Sequence, residues 1–373
     1  MADQIDVLII GGGLAGLVSA LELIKAGHSV TLVERKTYPF HKVCGEYVSN
    51  EVRRYVESLG VDLARIGVAD IHRLQVSAPS GRSLESELDL GGFGISRYRF
   101  DNELYQLGKA AGVRFLLNKQ VDTVTFQEAQ NGSFTALLND GQLLTSRLVI
   151  GAYGKRSKLD RTLNRAFTQR PSPYLGVKYH IQLPFPDDTI ALHNFPHGYC
   201  GLSAIEDNRY CLCYLTTREH LRRFGAIPQM EQAVLYQNPH LRNVFENARF
   251  LYDKPEVINE ISFAPKRAVE NHMLMAGDSA GLITPLCGNG MAMAIHSARL
   301  VSSLSTTFLQ GQISRTQLED QYQRRWSAQF TRRLWFGRHI QQLFGHPLLT
   351  EVTVRTFATF KPALRMLIRQ THG

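Results

Sequence analysis

The chain has 373 residues, 44% of them hydrophobic and 20% charged, with 42 Lys or Arg against 33 Asp or Glu and a formal net charge of +9. This composition describes a soluble globular protein, long enough for two domains that share an interface, and it excludes low-complexity and repeat architectures. Five cysteines, at 44, 200, 211, 213 and 287, are odd in number, scattered and without metal-ligand spacing, so reduced thiols in a cytosolic protein are expected and no metal site is predicted.

The apolar run Val7-Leu8-Ile9-Ile10 has the character of a central parallel strand buried on both faces. Gly11, Gly13 and Gly16 follow it at G-x-G-x-x-G spacing. Gly11 permits the tight turn, Gly13 lets the backbone approach a pyrophosphate, and Gly16 allows close packing of helix on strand. A helix is predicted over 14–26, with Gly27 as its stop. Its first N–H groups, from Leu14 and Ala15 onward, offer a partial positive charge to phosphate. A second strand over 29–33 leads to Glu34, eighteen residues after Gly16, where an acid would accept hydrogen bonds from adenosine ribose hydroxyls. Arg35 and Lys36 come next and could approach phosphate. Strand, helix, strand and acid in this order read as a dinucleotide site, against the bland alternative of a βαβ unit with an empty turn. Residues 7–24 could pass for a membrane span, but Asp3 and Asp6 stand where a positive leader belongs and glycines interrupt the run, so this terminus reads as cytoplasmic.

After Glu34 come His41-Lys42-Val43-Cys44-Gly45-Glu46, a predicted helix over 49–59, and a hairpin over 74–88 turning at Pro79-Ser80-Gly81. Ser96-Arg97-Tyr98-Arg99-Phe100-Asp101 opens another helix, with Asp101 as its predicted N-cap. The set Arg97, Phe100, Asp101 and Leu104 resembles the flavoprotein superfamily of aromatic-ring monooxygenases and geranylgeranyl reductases. That resemblance implies FAD as cofactor and puts Arg97 near its pyrophosphate. Gly151-Ala152-Tyr153-Gly154 resembles the superfamily's Gly-Ala-Asp-Gly segment and brings Gly154 to the cofactor. Tyr153, however, replaces an acid that in the monooxygenases helps FAD and transient nicotinamide to bind, which puts the usual NADPH encounter in doubt.

Met273-Leu274-Met275-Ala276 reads as a buried strand, followed by Gly277-Asp278-Ser279, then Pro285-Leu286-Cys287-Gly288-Asn289-Gly290 and a helix over 291–304. The resemblance gives Asp278 the ribityl hydroxyls of FAD, with a structural cap as its rival. It also lays Pro285, Gly288, Asn289 and Gly290, at the helix start, near flavin N1 and the C2 carbonyl, where a positive dipole end stabilises the reduced anion. Residues Lys42 through Gly45 resemble the Lys-x-Cys-Gly stretch of the geranylgeranyl-reductase-like branch, which lies against the flavin. There Cys44 could tune the potential or donate a proton, or be a small buried hydrophobe. The paired-Trp motif of flavin-dependent halogenases is missing, and His197-Gly198-Tyr199-Cys200-Gly201-Leu202 stands in that stretch. The resemblance covers about residues 5–310 and is specific for cofactor, weak for substrate.

The fold expected is α/β (α+β overall). It has a Rossmann-like FAD-binding domain over 1–70, 97–165 and 262–312, an antiparallel β-sheet substrate domain over 71–96 and 166–261, and a helical C-terminal tail over 313–373. Among Tyr179, His180, His193, His197 and Tyr199 in the substrate sheet, Tyr199 is the chosen pocket residue. Cys211 and Cys213 alternate along a strand and share a face, with shared burial expected. The function expected is electron transfer from NAD(P)H or another donor, through FAD, to a hydrophobic small molecule by C=C reduction. Hydroxylation of an aromatic or polyketide-like substrate is the alternative, and a non-catalytic flavin-binding module is the third class. Residues 313–373 hold both tryptophans and ten Lys or Arg against three acids. Their amphipathic helices would present a cationic face to anionic lipid at the inner face of the membrane, or else simply to solvent. No nucleic-acid-binding motif occurs, and the oligomeric state is not written in the sequence.

Overall fold

A computed structural model describes residues 5–128, 132–169, 172–259, 261–284, 288–344 and 346–360. Its first sheet is built on Ile5–Ile10, which pairs in parallel with Val30–Glu34 on one side and Leu143–Gly151 on the other. Arg114–Leu117 extends the parallel run beyond Val30–Glu34, and Met273–Met275 beyond Leu143–Gly151. Val7, Leu8 and Ile9 are fully buried, as a central strand covered on both faces requires. Helix Leu14–Lys25 packs between Arg97–Ala110 and Gly290–Leu309 beside this sheet. The carboxyl ends of the parallel strands therefore finish together, at Gly11, Glu34, Gly151 and Ala276. This is the edge at which open α/β sheets bind ligands.

Among the described residues the second sheet has nine strands, ordered from Arg249–Phe250 through Tyr174–Gln182, Arg209–Thr217, Gly198–Ile205, Thr189–Phe195, Ala69–Ser77 and Ser83–Gly94 to Tyr47–Ser49, with Glu256–Asn259 joining Tyr174–Gln182. It is not purely antiparallel, as the sequence reading expects, because Thr189–Phe195 lies parallel to Ala69–Ser77. Tyr47–Ser49, inside the 1–70 stretch assigned to the nucleotide unit, pairs instead with Ser83–Gly94 of this sheet. The period of two gives the sheet two distinct faces. One packs Val177, Leu212 and Tyr214 against helices Ile227–Val234 and Pro239–Asn247. On the other face, register sets Lys178 opposite Cys213, His180 opposite Cys211, Ser203 opposite Cys211 and Tyr199 opposite Leu215.

Two local expectations are corrected. The helix at 97 is capped by Ser96, whose Oγ accepts the Arg99 N–H at 3.1 Å, while Asp101 lies inside the helix and is buried. The predicted helix over 49–59 is split into strand Tyr47–Ser49, a 3-10 turn Asn50–Val52 and a short helix Arg53–Ser58. The tail, expected to be helical, forms a long helix Arg315–Phe344 followed by Pro347–Thr359. Leu318, Tyr322, Trp326, Phe330 and Leu334, at helical spacing, are buried in the main core, while Trp335 is exposed. Among the described residues, no helix is long and apolar enough to cross a membrane.

Candidate cofactor and substrate site

The first glycine loop is closed from within. Gly11 sits at φ +103°, and a Cβ there would meet Ala152 O at 2.6 Å; one on Gly16 would meet Gly11 O at 1.9 Å. These two glycines let strand, loop and helix touch. Gly13 differs, because its bare Cα faces Lys42 Nζ and Arg97 Nη2, 3.5 and 3.6 Å from where a Cβ would sit. Gly13 is also the N-cap of Leu14–Lys25 and offers no side-chain cap, so the N–H groups of Leu14, Ala15 and Gly16 are left to a ligand. The Glu34 carboxylate accepts Gly12 N–H at 2.7 Å and Lys36 N–H at 3.1 Å, fixing loop to strand end. Arg35 lies exposed at the rim of the cavity described below.

Two cations beside this loop are held by one carboxylate. Asp101 accepts Arg97 Nε at 2.7 Å, Arg97 Nη2 at 2.8 Å and Lys42 Nζ at 3.0 Å. Burial alone would raise the Asp101 pKa, but Arg97 and Lys42 overcome it and hold the group ionised below the usual carboxylate range. Lys42 also donates to Gly12 O at 3.2 Å, as Tyr38 Oη does at 2.7 Å. Two positive charges converging on uncapped N–H groups form an anion cradle. Lys42 opens the Lys-x-Cys-Gly stretch, and only the fold brings its ammonium to the glycine loop as a cofactor ligand.

At the other strand end, Gly277 has φ +61° and Asp278 follows it facing the same cavity. Among the described residues the Asp278 carboxylate makes no hydrogen bond recorded within the protein, and it caps neither Gly277–Ser279 nor Gly290–Leu309. Its backbone is held instead. Half-buried Lys266 donates to Asp278 O at 2.7 Å and Lys155 O at 3.1 Å, and its pKa is pushed down to about 8 by desolvation. Ser279 Oγ accepts Gly154 N–H at 2.9 Å, so the 151–154 and 277–279 loops are tied together. Tyr153 lines the cavity, and its hydroxyl donates to Asp160 at 3.1 Å. Gly288 and Gly290 line the cavity, Asn289 is the N-cap of Gly290–Leu309, and Pro285 lies outside the described residues.

The segment from His41 to Glu46 crosses between the two sheets and is pinned by the second one. Lys178 Nζ donates to Lys42 O at 3.1 Å, Cys211 Sγ to Cys44 O at 3.2 Å and Ser203 Oγ to Gly45 O at 3.1 Å. Glu46, at φ +55° and fully buried, accepts Lys178 Nζ and bonds His180 Nε2, each at 2.6 Å, and also accepts Arg97 N–H at 2.8 Å. Burial disfavours its charge, but Lys178 and His180 win and hold the pKa at about 2. The Glu46, His180 and Cys211 ligand atoms lie close enough together to hold a metal ion, but the Lys178 ammonium already supplies the cation there. No local pattern marks this cluster, because Glu46 lies just before Tyr47–Ser49 while Lys178 and His180 sit on Tyr174–Gln182 and Cys211 on Arg209–Thr217, far apart in the chain.

These parts share one cavity of about 690 Å³. It runs from Gly11, Gly13 and Glu34, past Arg97 and Cys44, to Asp278 and then to the inner face of the second sheet at Tyr199, Leu192 and Ile258. Leu14, Ala15, Gly45 and Gly154 line it too. Of the sheet candidates only Tyr199 does so. Tyr179 is turned to the opposite face and donates to Glu231 at 2.9 Å, and His193 is buried against Ser77 at 2.8 Å. His180 serves Glu46, and His197 occupies a turn at φ +57°. Cys213 lines the cavity and Cys211 braces Cys44, so the pair faces the cofactor side rather than a core.

Residues 4–333 match the family described as FAD binding domain. The chain is 23% identical to the digeranylgeranylglycerophospholipid reductase of Methanosarcina acetivorans, covering 87% of this chain and 81% of the relative. It is 23% identical to the menaquinone reductase of Mycobacterium tuberculosis, over 98% and 91% of the two chains. Its fold is similar to that of PqsL from P. aeruginosa in complex with 2-aminobenzoylacetate, with a TM-score of 0.77 at 20% identity over 93% of this chain and 98% of that one.

Proposed function

The chain belongs to the FAD-binding domain family and is an FAD-dependent oxidoreductase; from that premise we propose that it reduces a carbon–carbon double bond in a hydrophobic, lipid-like molecule. The site fits the cofactor in its chemistry. The uncapped start of Leu14–Lys25, with Lys42 and Arg97 beside Gly13, suits a pyrophosphate. Glu34 would take the ribose hydroxyls, Asp278 the ribityl hydroxyls, and the backbone at 288–290 the polar edge of the ring. Bound FAD supplies the two-electron chemistry, with NAD(P)H as the proposed donor. The protein supplies a chamber with an apolar end, holds Cys44 at its wall by three side chains from the second sheet, and presents the Cys44 thiol and Tyr199 hydroxyl as the proton-carrying groups there.

The observation that carries this reading is the lining of the chamber beyond Cys44. Ile190, Leu192, Leu215, Ile258, Ile261 and Leu282 surround Tyr199, an environment that selects apolar substrate. Tyr153, its hydroxyl bonded to Asp160 where the monooxygenases keep an acid, supports reduction over hydroxylation. The test is to purify the protein, record its flavin spectrum and follow NADH or NADPH oxidation with and without oxygen. Anaerobic oxidation that requires a polyprenyl acceptor supports the proposal. Substrate-stimulated oxidation that occurs only with oxygen assigns hydroxylation instead, and bound flavin without turnover on either class would leave a binding module. Asp278→Ala should lower FAD retention, and full occupancy in that variant would remove the residue's assignment.

A further inference from the structure

Helix Pro347–Thr359 has two unlike faces. Inward, Val354 and Phe357 pack on the apolar cluster of the Ala69–Ser77 and Ser83–Gly94 hairpin, and Glu351 accepts Ser80 N–H and Oγ–H, each at 2.8 Å. Outward, Leu348 is 72% exposed, Leu349 49% and Val352 63%, with Phe360 just beyond the helix at 58%. At 100° per residue, positions 348, 349 and 352 fall on one stripe about a third of the helix circumference wide. Arg355, one turn from Val352, is exposed beside it. The C-terminal region that carries this helix has ten Lys or Arg against three acids. Four large apolar side chains in the open on one short segment are not an ordinary surface.

The cluster on which the helix sits includes Tyr47, Ile190 and Leu192, and these same side chains line the far end of the cavity. The helix that carries the exposed apolar stripe therefore packs on the same apolar cluster that reaches the chamber's far end. We propose that Leu348, Leu349, Val352 and Phe360, flanked by Arg355, dock the protein on an anionic lipid surface next to that end of the chamber. Apolar side chains entering the headgroup boundary beside cations that meet acidic headgroups is the chemistry of an interfacial helix. That the chamber's substrate arrives from this bilayer rests on the function proposed above; the docking itself does not.

The experiment floats the FAD-loaded protein with phosphatidylcholine vesicles prepared with and without phosphatidylglycerol. Wild type should bind the phosphatidylglycerol vesicles, more weakly at high salt. The double variant L348E/V352E should bind them at least about tenfold more weakly, and R355E should fall between. Both substituted side chains of the double variant are exposed, so its flavin spectrum and melting temperature should match wild type, and its turnover of a detergent-dispersed acceptor should persist. Wild type that stays behind when the vesicles float would overturn the proposal, as would a double variant that floats as well as wild type. A wild-type dimer split by L348E/V352E in sedimentation velocity would assign the stripe to a second copy of the chain and likewise overturn it. Vesicle binding without any turnover would leave docking in place and remove the proposed reaction.

Discussion

Glu231 offers a sharp test of the second sheet's outer layer. It sits on helix Ile227–Val234, 6% exposed, and its Oε1 accepts both phenol hydrogens that reach it, Tyr179 at 2.9 Å and Tyr214 at 2.8 Å. Burial drives its pKa up to about 7 from the ordinary 4.5, against the two phenols, which favour the charge. A carboxyl raised in the folded state binds its proton more tightly there than in the unfolded chain. Its contribution to stability is thus complete below about pH 4.5 and is lost as the pH rises through 7. The gap is worth about 3 kcal/mol. Glu231→Gln keeps the Oε1 acceptor and cannot ionise. Urea unfolding of both proteins between pH 5 and pH 8 at fixed ionic strength should show the difference between them moving by about 2.5 kcal/mol in favour of the variant at the alkaline end. Parallel stability curves across that range would mean that Glu231 does not titrate there, and the account of this buried triad would be wrong.

Three further outcomes are expected at the cofactor site. Gly16→Ala puts a Cβ 1.9 Å from Gly11 O, so loop and helix must separate; the protein should lose bound FAD by absorbance and about 3 kcal/mol of stability by urea unfolding. Asp101→Asn removes the charge shared by Arg97 and Lys42 and should cost about 3–5 kcal/mol in the cofactor-free protein, read in the same way; a loss under 1 kcal/mol would show that the pair does not depend on it. Cys44→Ala should keep the flavin stoichiometry and lower turnover about tenfold or more if the thiol carries the proton. Unchanged turnover would leave Cys44 as wall packing.

The parts of the site legible in the sequence are those whose function is local. Gly11, Gly13 and Gly16 act within six residues of one another, because a strand end, a turn and a helix start are contiguous. Asp278 likewise follows its strand directly, and its loop could be recognised without knowing what faces it. Glu34 is only one strand away. The failures have the opposite character. Asp101 looks like an N-cap by residue type, but its burial against Arg97 and Lys42 overrides local preference, and Ser96, five residues earlier, takes the cap. The histidines of the sheet were candidates by chemistry, yet which face each occupies is decided by register. His193 stands opposite Cys200, which packs on the helix-covered face, and Tyr199 stands opposite Leu215 on the cavity side. A shift of one residue would have exchanged them.

By itself, the order of residues determined a phosphate-binding turn, a second carboxylate-bearing loop and the cofactor class, because backbone conformation and helix ends are set by neighbours a few positions apart. Only the tertiary structure decided that Lys42 joins the anion cradle, that Lys178 and His180 clamp Glu46 from 132 and 134 residues away, and that Trp326 is core while Leu348 is surface. Those facts depend on how two sheets meet. Coulomb pairing and burial act through space, and no period or spacing along the chain records which distant strand will supply the partner.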